Sequence, residues 1–124
     1  MNKVVVLNLG LLITHQIDAA YWHEWEMFGI PGGIQFFNIF NLVLFWILGA
    51  CFVAVVQRKS SGFIGSIFIA ATSALVLPIH TGFALAGFTQ FHLPVSIFAI
   101  IATFVASVTQ IMVTIKQRSE FSDA

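Results

Sequence analysis

Charged residues are scarce in this chain. Only 8% of its 124 residues are charged, whereas soluble domains carry about 25%. That is too little charge to cover the surface of a water-soluble globule, and 59% of the residues are hydrophobic. The composition therefore predicts an integral membrane protein with the lipid bilayer as its solvent.

The chain also has no basic surplus and almost no cysteine. Five Lys and Arg balance five Asp and Glu, so the basic face that a nucleic-acid partner or a steered anionic substrate needs is missing. One cysteine, Cys51, excludes a disulfide framework, a CxxC redox motif and a zinc knuckle within one chain. Cys51 is expected to be a small core residue.

Four segments are long and apolar enough to be membrane spans, because a bilayer core about 30 Å thick needs roughly 20 apolar residues. They cover about 4–28, 35–56, 63–80 and 93–115. The first follows Lys3 as a signal peptide would, but no small-x-small cleavage site precedes the charged stretch, so we expect an uncleaved span. Because the connections are short, the sequence predicts a single all-α domain over 1–124, an antiparallel four-helix transmembrane bundle.

The basic residues give an orientation. They stand at three places, Lys3, Arg58 with Lys59, and Lys116 with Arg118. With four spans these places share one face of the membrane, and the positive-inside rule makes that face cytoplasmic. The chain is therefore predicted to be a multi-pass protein of a bacterial inner membrane with both termini in the cytoplasm.

The stretch HQIDAAYWHEWE, residues 15–26, interrupts the apolar first span with two histidines and three acidic residues. On a continuous helix one narrow sector would hold His15, Asp18, Trp22 and Glu26, with Glu24 opposite in the headgroup zone. If that helix ended near residue 28, His15 would lie about 20 Å below its end and Asp18 about 15 Å. An ionisable group so deep costs roughly 2.5–3.5 kcal/mol and is by default a functional hypothesis.

Polar residues on the other spans extend this sector into a pocket open to the extracytoplasmic side. We expect it to bind a small polar ligand or a divalent metal such as zinc. The predicted ligand-binding residues are His15, Asp18, Trp22, Glu26, Asn38 and Asn41. The predicted metal ligands are His15, Asp18, His80 and His92, because nitrogen and carboxylate oxygen are the atoms that zinc prefers.

Other interpretations remain open. His15 and Asp18 could be a packing pair in a non-catalytic accessory subunit, or a proton relay in a small transporter. A carboxylate-bridged di-iron site is disfavoured because the acidic residues outside the C-terminal tail all lie on the first span. Bis-histidine haem is disfavoured because His15 is expected to lie deeper than His80. The chain could also form a homo-oligomer or bind another membrane protein.

The residues THQIDAAYWHEWEMF resemble the first helix of a group of small uncharacterised bacterial four-span proteins. That helix reads Thr-His-Glu-x-Asp-Ala followed by Glu-Trp, and it is more distantly similar to the HXXEE-type membrane domain. The matching positions are Thr14, His15, Asp18, Ala19, Glu24 and Trp25. Gln16 stands where the pattern has an acidic residue, which weakens a metal site inferred by analogy. The resemblance implies a four-span fold but no known reaction.

Overall fold

The computed structural model describes residues 1–123 and is all-α, with no strand in that part of the chain. Six α-helices are followed by a short 3-10 helix at Arg118–Glu120. The α-helices are α1 (Asn2–Tyr21), α2 (Glu24–Met27), α3 (Gly33–Val56), α4 (Ser60–Ala74), α5 (Val76–Leu85) and α6 (Pro94–Lys116).

Four helical segments are long and apolar enough to cross a membrane. They are α1, α3, α6 and the segment Ser60–Leu85, which joins α4 to α5. Their mean hydropathies lie between 1.4 and 2.6. Length and composition together indicate a multi-pass membrane protein that is surrounded by lipid.

Small residues let α4 pack closely against its neighbours. This helix contacts α3 on one side and α6 on the other, and α1 packs mainly on α6. A Cβ added to Gly62 would lie 2.5 Å from the carbonyl oxygen of Ala54 on α3, so only glycine permits that approach. On α6 a stripe of small and polar residues recurs at intervals of three and four and is buried: Ser96, Ala99, Thr103, Ala106, Gln110 and Thr114.

A network of amide and hydroxyl groups joins α1, α4 and α6; we call it the amide network (Asn8, Ser66, Gln110 and Thr114). Asn8 Nδ2 donates to Gln110 Oε1 over 2.8 Å, and Gln110 Nε2 donates to the Ser66 carbonyl over 2.9 Å. The Ser66 and Thr114 hydroxyls are 2.7 Å apart. All four residues are fully buried, so each polar side chain is hydrogen-bonded where water cannot reach it.

The first span is not a continuous helix up to residue 28, and that expectation is wrong. Helix α1 ends at Tyr21, and His23 adopts a left-handed conformation with φ 55° before α2 begins at Glu24. A non-glycine residue rarely adopts positive φ, although histidine does so more often than most. The turn rotates the following residues out of the sector that a single helix would give them.

A second irregularity separates α4 from α5 at Leu75. Pro78 has no backbone N–H and cannot donate to the carbonyl four residues earlier, at Ala74, where α4 ends. The chain nevertheless continues as one long apolar segment. His80, two residues beyond the proline, is buried on α5 together with Val76.

Candidate metal centre

Three titratable side chains from three helices meet inside the protein; we call them the histidine cluster (His15, Glu24 and His80). One potential ligand atom from each lies within 4.8 Å of the other two. His80 Nε2 is 3.3 Å from Glu24 Oε1. The three residues are only 2%, 8% and 7% exposed, respectively.

Helix geometry explains why His15 points inward. The buried residues of α1 recur at intervals of three and four: Val5, Asn8, Leu12, His15 and Ala19. This spacing defines one face of an α-helix. His15 is thus at an interior position of the face that packs on α6.

The early end of α1 brings the two histidines to similar depths. His15 lies six residues before Tyr21, or about 9 Å along the axis, instead of the predicted 20 Å. His80 lies five residues before Leu85, the end of α5, or about 8 Å. The expectation that His15 would be too deep to meet His80 is therefore wrong, because it assumed a helix seven residues longer.

The imidazole rings touch edge to face. The centroids of His15 and His80 are 4.9 Å apart, with the ring planes at 82°. The ring of Phe91 covers both, with centroids 5.6 Å from His15 and 4.2 Å from His80. Contact this close leaves no slot for a porphyrin between the rings, so haem stays disfavoured for a reason different from the one given by the sequence.

The cluster is not satisfied by the protein itself. His15 Nδ1 and His80 Nε2 are inaccessible to solvent and have no hydrogen-bond partner within residues 1–123. The 3.3 Å contact with Glu24 lacks hydrogen-bond geometry. An unsatisfied buried polar group destabilises a fold by about 1–3 kcal/mol, so these two nitrogens need an explanation.

The predicted metal set differs from this cluster at two positions. His92 is exposed, and its Nδ1 lies 2.8 Å from the carbonyl oxygen of Thr89. Asp18 is half-buried, its Oδ2 has no hydrogen-bond partner among the described residues, and it is not one of the three grouped side chains. The structure thus brings together His15 and His80 from the predicted set and adds Glu24.

The other predicted pocket residues lie elsewhere. Trp22 Nε1 donates to Ser96 Oγ over 3.4 Å, and Asn41 Nδ2 donates to the Phe37 carbonyl over 2.9 Å. Asn38 is exposed, and so is Glu26, which pairs with His23 at 3.6 Å. None of these four lines the cavity beside the histidine cluster.

Glu24 is the residue that sequence reasoning missed. It was expected opposite His15, at the headgroups, but the turn at His23 carries it inward to His80. The next residue, Trp25, is also buried, against Phe37 with ring centroids 5.3 Å apart. A positive-φ turn at a histidine leaves no reliable sequence signal.

The family described as "Family of unknown function (DUF6713)" matches residues 1–117. The chain belongs to this family. No curated protein and no solved structure gives a significant match, so the geometry of the site is what bears on function.

Two imidazoles and one carboxylate form a known kind of metal site. Zinc in hydrolytic enzymes is held by three protein ligands, His2Glu among them, with a fourth position left for water or substrate. The same set on one face also suits ferrous iron. The histidine cluster has the composition and the burial for such a site, and one ligand atom from each side chain lies within 4.8 Å of the other two.

Proposed function

We propose that this protein is a multi-pass membrane protein that binds one divalent transition-metal ion through His15, Glu24 and His80. The observation that carries the proposal is the convergence, within 4.8 Å, of one ligand atom from each of three buried side chains, and each of the two histidines has a ring nitrogen without a hydrogen-bond partner in residues 1–123. A bound cation would satisfy both nitrogens. It would also neutralise Glu24, which has no lysine or arginine partner among the described residues.

The distances are compatible with a tetrahedral site. Zinc–nitrogen bonds of about 2.0–2.1 Å place neighbouring ligand atoms about 3.3 Å apart. His80 Nε2 and Glu24 Oε1 are already at that separation. A closer approach by His15 completes the set.

The proposal includes a topology. We place the four spans as an antiparallel bundle in a single domain, with both termini in the cytoplasm, because the basic residues then share one face. The cluster then lies in the extracytoplasmic half of the bilayer. His15 and Glu24 both belong to the first-helix pattern of Thr-His and Glu-Trp, and we propose that this pattern supplies the metal ligands.

Metal content of the purified protein tests the proposal. After dialysis against zinc and then against metal-free buffer, elemental analysis should give about one zinc per wild-type chain. We expect His15→Ala, Glu24→Gln and His80→Ala each to lower the retained zinc at least tenfold, because each removes one of three ligands.

Two matched controls separate this ligand set from the one predicted by the sequence. His92→Ala removes an exposed histidine, and Asp18→Asn neutralises the acidic residue nearest to His15 in sequence. Both variants should retain zinc as the wild type does. If they lose as much as His80→Ala and Glu24→Gln, the proposed ligand set is wrong; if the wild type retains no zinc or other divalent metal, the His80–Glu24 contact is a structural pair.

A further inference from the structure

A cavity of about 300 Å³ adjoins the histidine cluster and extends between α1, α3 and the α4–α5 segment. Aromatic and aliphatic side chains form most of its wall, including Trp25, Phe37, Phe40, Leu44 and Val76. Binding sites for small molecules have this size and apolar character. The cavity is therefore large enough for a ligand in addition to a metal ion.

One end of this cavity is polar. His15, Glu24 and His80 line it there, and Gln16 and Thr72 also contribute to the wall. His15 is 2% exposed, and its Nδ1 has no hydrogen-bond partner within residues 1–123. The cavity thus combines an apolar body with a polar end whose hydrogen-bonding capacity is not used by the protein.

The rim of the cavity is apolar and faces outward. Phe28, Phe40 and Leu75 line the cavity, and they are 47%, 45% and 57% exposed. Phe40 lies on a transmembrane helix and Leu75 within the segment that joins α4 to α5, so these side chains border the acyl chains of the bilayer. A ligand entering past them comes from the membrane and not from water.

We infer that the cavity binds the hydrocarbon chain of a membrane lipid, with the lipid's first ester or hydroxyl oxygen at the histidine cluster. A methylene group needs about the same volume as a water molecule in the liquid, about 30 Å³. The cavity of about 300 Å³ therefore has room for about ten methylene groups. A metal held by three protein ligands leaves a position for that oxygen. The inference names a ligand class for the proposed metal site and rests on that proposal.

Filling the cavity tests the inference. Leu44→Trp places a larger side chain at the cavity wall without touching His15, Glu24 or His80. Ile47→Trp is the matched control, because Ile47 is on the same helix, is exposed and does not line the cavity. Native mass spectrometry of detergent-purified protein should find about one retained lipid in the wild type and in Ile47→Trp, and at least fivefold less in Leu44→Trp.

The zinc content is measured in the same samples, so the metal proposal and the lipid inference are tested independently. Equal lipid retention in all three proteins would overturn the lipid inference, whatever the zinc content. Absence of divalent metal from the wild type would overturn the metal proposal, even if Leu44→Trp loses its lipid.

A second measurement does not depend on folding of the variant. Wild-type protein reconstituted with phosphatidylcholine carrying a photoreactive diazirine on the acyl chain is extracted into lipid-free detergent before irradiation, so that detergent replaces the lipid around the helices, and should then be labelled more at Phe37 and Leu44 than at Val43 and Ile47. The last two are exposed on α3 and do not line the cavity. Equal labelling of the two pairs would contradict an acyl chain inside the cavity.

Discussion

Two buried polar regions of this protein differ in how completely their hydrogen bonds are made. In the amide network, Gln110 binds both Asn8 on α1 and Ser66 on α4, with distances of 2.8 and 2.9 Å. In the histidine cluster, His15 Nδ1 and His80 Nε2 have no partner in the described part of the chain. Both regions are buried inside a membrane protein, where water is not available to make hydrogen bonds that the protein lacks.

This difference distinguishes buried polar groups that join helices from buried polar groups that are available to a ligand. A satisfied network joins helices and has no spare donors or acceptors, so it does not need a ligand. An unsatisfied cluster weakens the fold until something binds it. The comparison therefore identifies the amide network as a helix-packing element and supports the proposal that the histidine cluster binds a ligand.

Among substitutions in metal-free protein, the largest expected effect on stability is in the amide network. Gln110→Ala leaves the Asn8 amide and the Ser66 carbonyl without their partner and opens a small cavity, so the free energy of unfolding should fall by about 2 kcal/mol. Denaturation in mixed micelles measures it. Gln35→Ala, which removes an exposed amide from α3, is the control and should change stability by less than about 0.5 kcal/mol. A similar loss in both variants would show that the network does not stabilise the fold.

A smaller effect is expected when the histidine cluster is made apolar in metal-free protein. His15→Leu removes a nitrogen that already lacks a partner, so the free energy of unfolding should change by less than about 1 kcal/mol. Zinc at about 100 times its dissociation constant should stabilise the wild type by about 2.7 kcal/mol and the variant not at all. If metal-free His15→Leu is as unstable as Gln110→Ala, the cluster is a packing element and the comparison fails.

The smallest effect concerns the exposed C-terminal tail, where an acidic side chain caps α4. The hydroxyl of Ser60 and its backbone N–H (3.0 Å) both donate to Asp123, and these hydrogen bonds lower the pKa of that carboxyl. Such a carboxyl stabilises the fold only while it is ionised, so its contribution is complete above the ordinary carboxyl pKa of about 4 and is lost as the pH falls through the lower, folded pKa. Asp123→Asn should lower the thermal midpoint slightly at pH 7 and not at pH 2. Equal differences at both pH values would exclude a role for ionisation.

Much of the fold follows from composition and periodicity. The four apolar segments and the small-residue stripe on α6 can be recognised in the sequence, because lipid-facing and packed helix faces differ in residue type. His15 and His80 could be singled out as titratable groups in or beside apolar spans. Asn8 is an uncharged polar residue within the apolar stretch VVVLNLG, and it connects α1 to the amide network.

The remaining part of the site depends on backbone turns that the sequence does not reveal. The inward position of Glu24 follows from the left-handed conformation of His23, and the depth of His15 follows from the end of α1 at Tyr21. A helical wheel that treats residues 15–26 as one helix places Glu26 on the same face as His15, whereas in the structure Glu24 turns inward to His80. One residue with positive φ is therefore enough to change the predicted ligand set.

X-ray diffraction from zinc-loaded crystals, recorded on both sides of the zinc absorption edge, tests the central claim most directly. We predict a single anomalous peak among His15, Glu24 and His80, about 2.0–2.2 Å from one atom of each. A peak on Asp18 or His92 without Glu24, or no peak within the protein, would contradict the assignment.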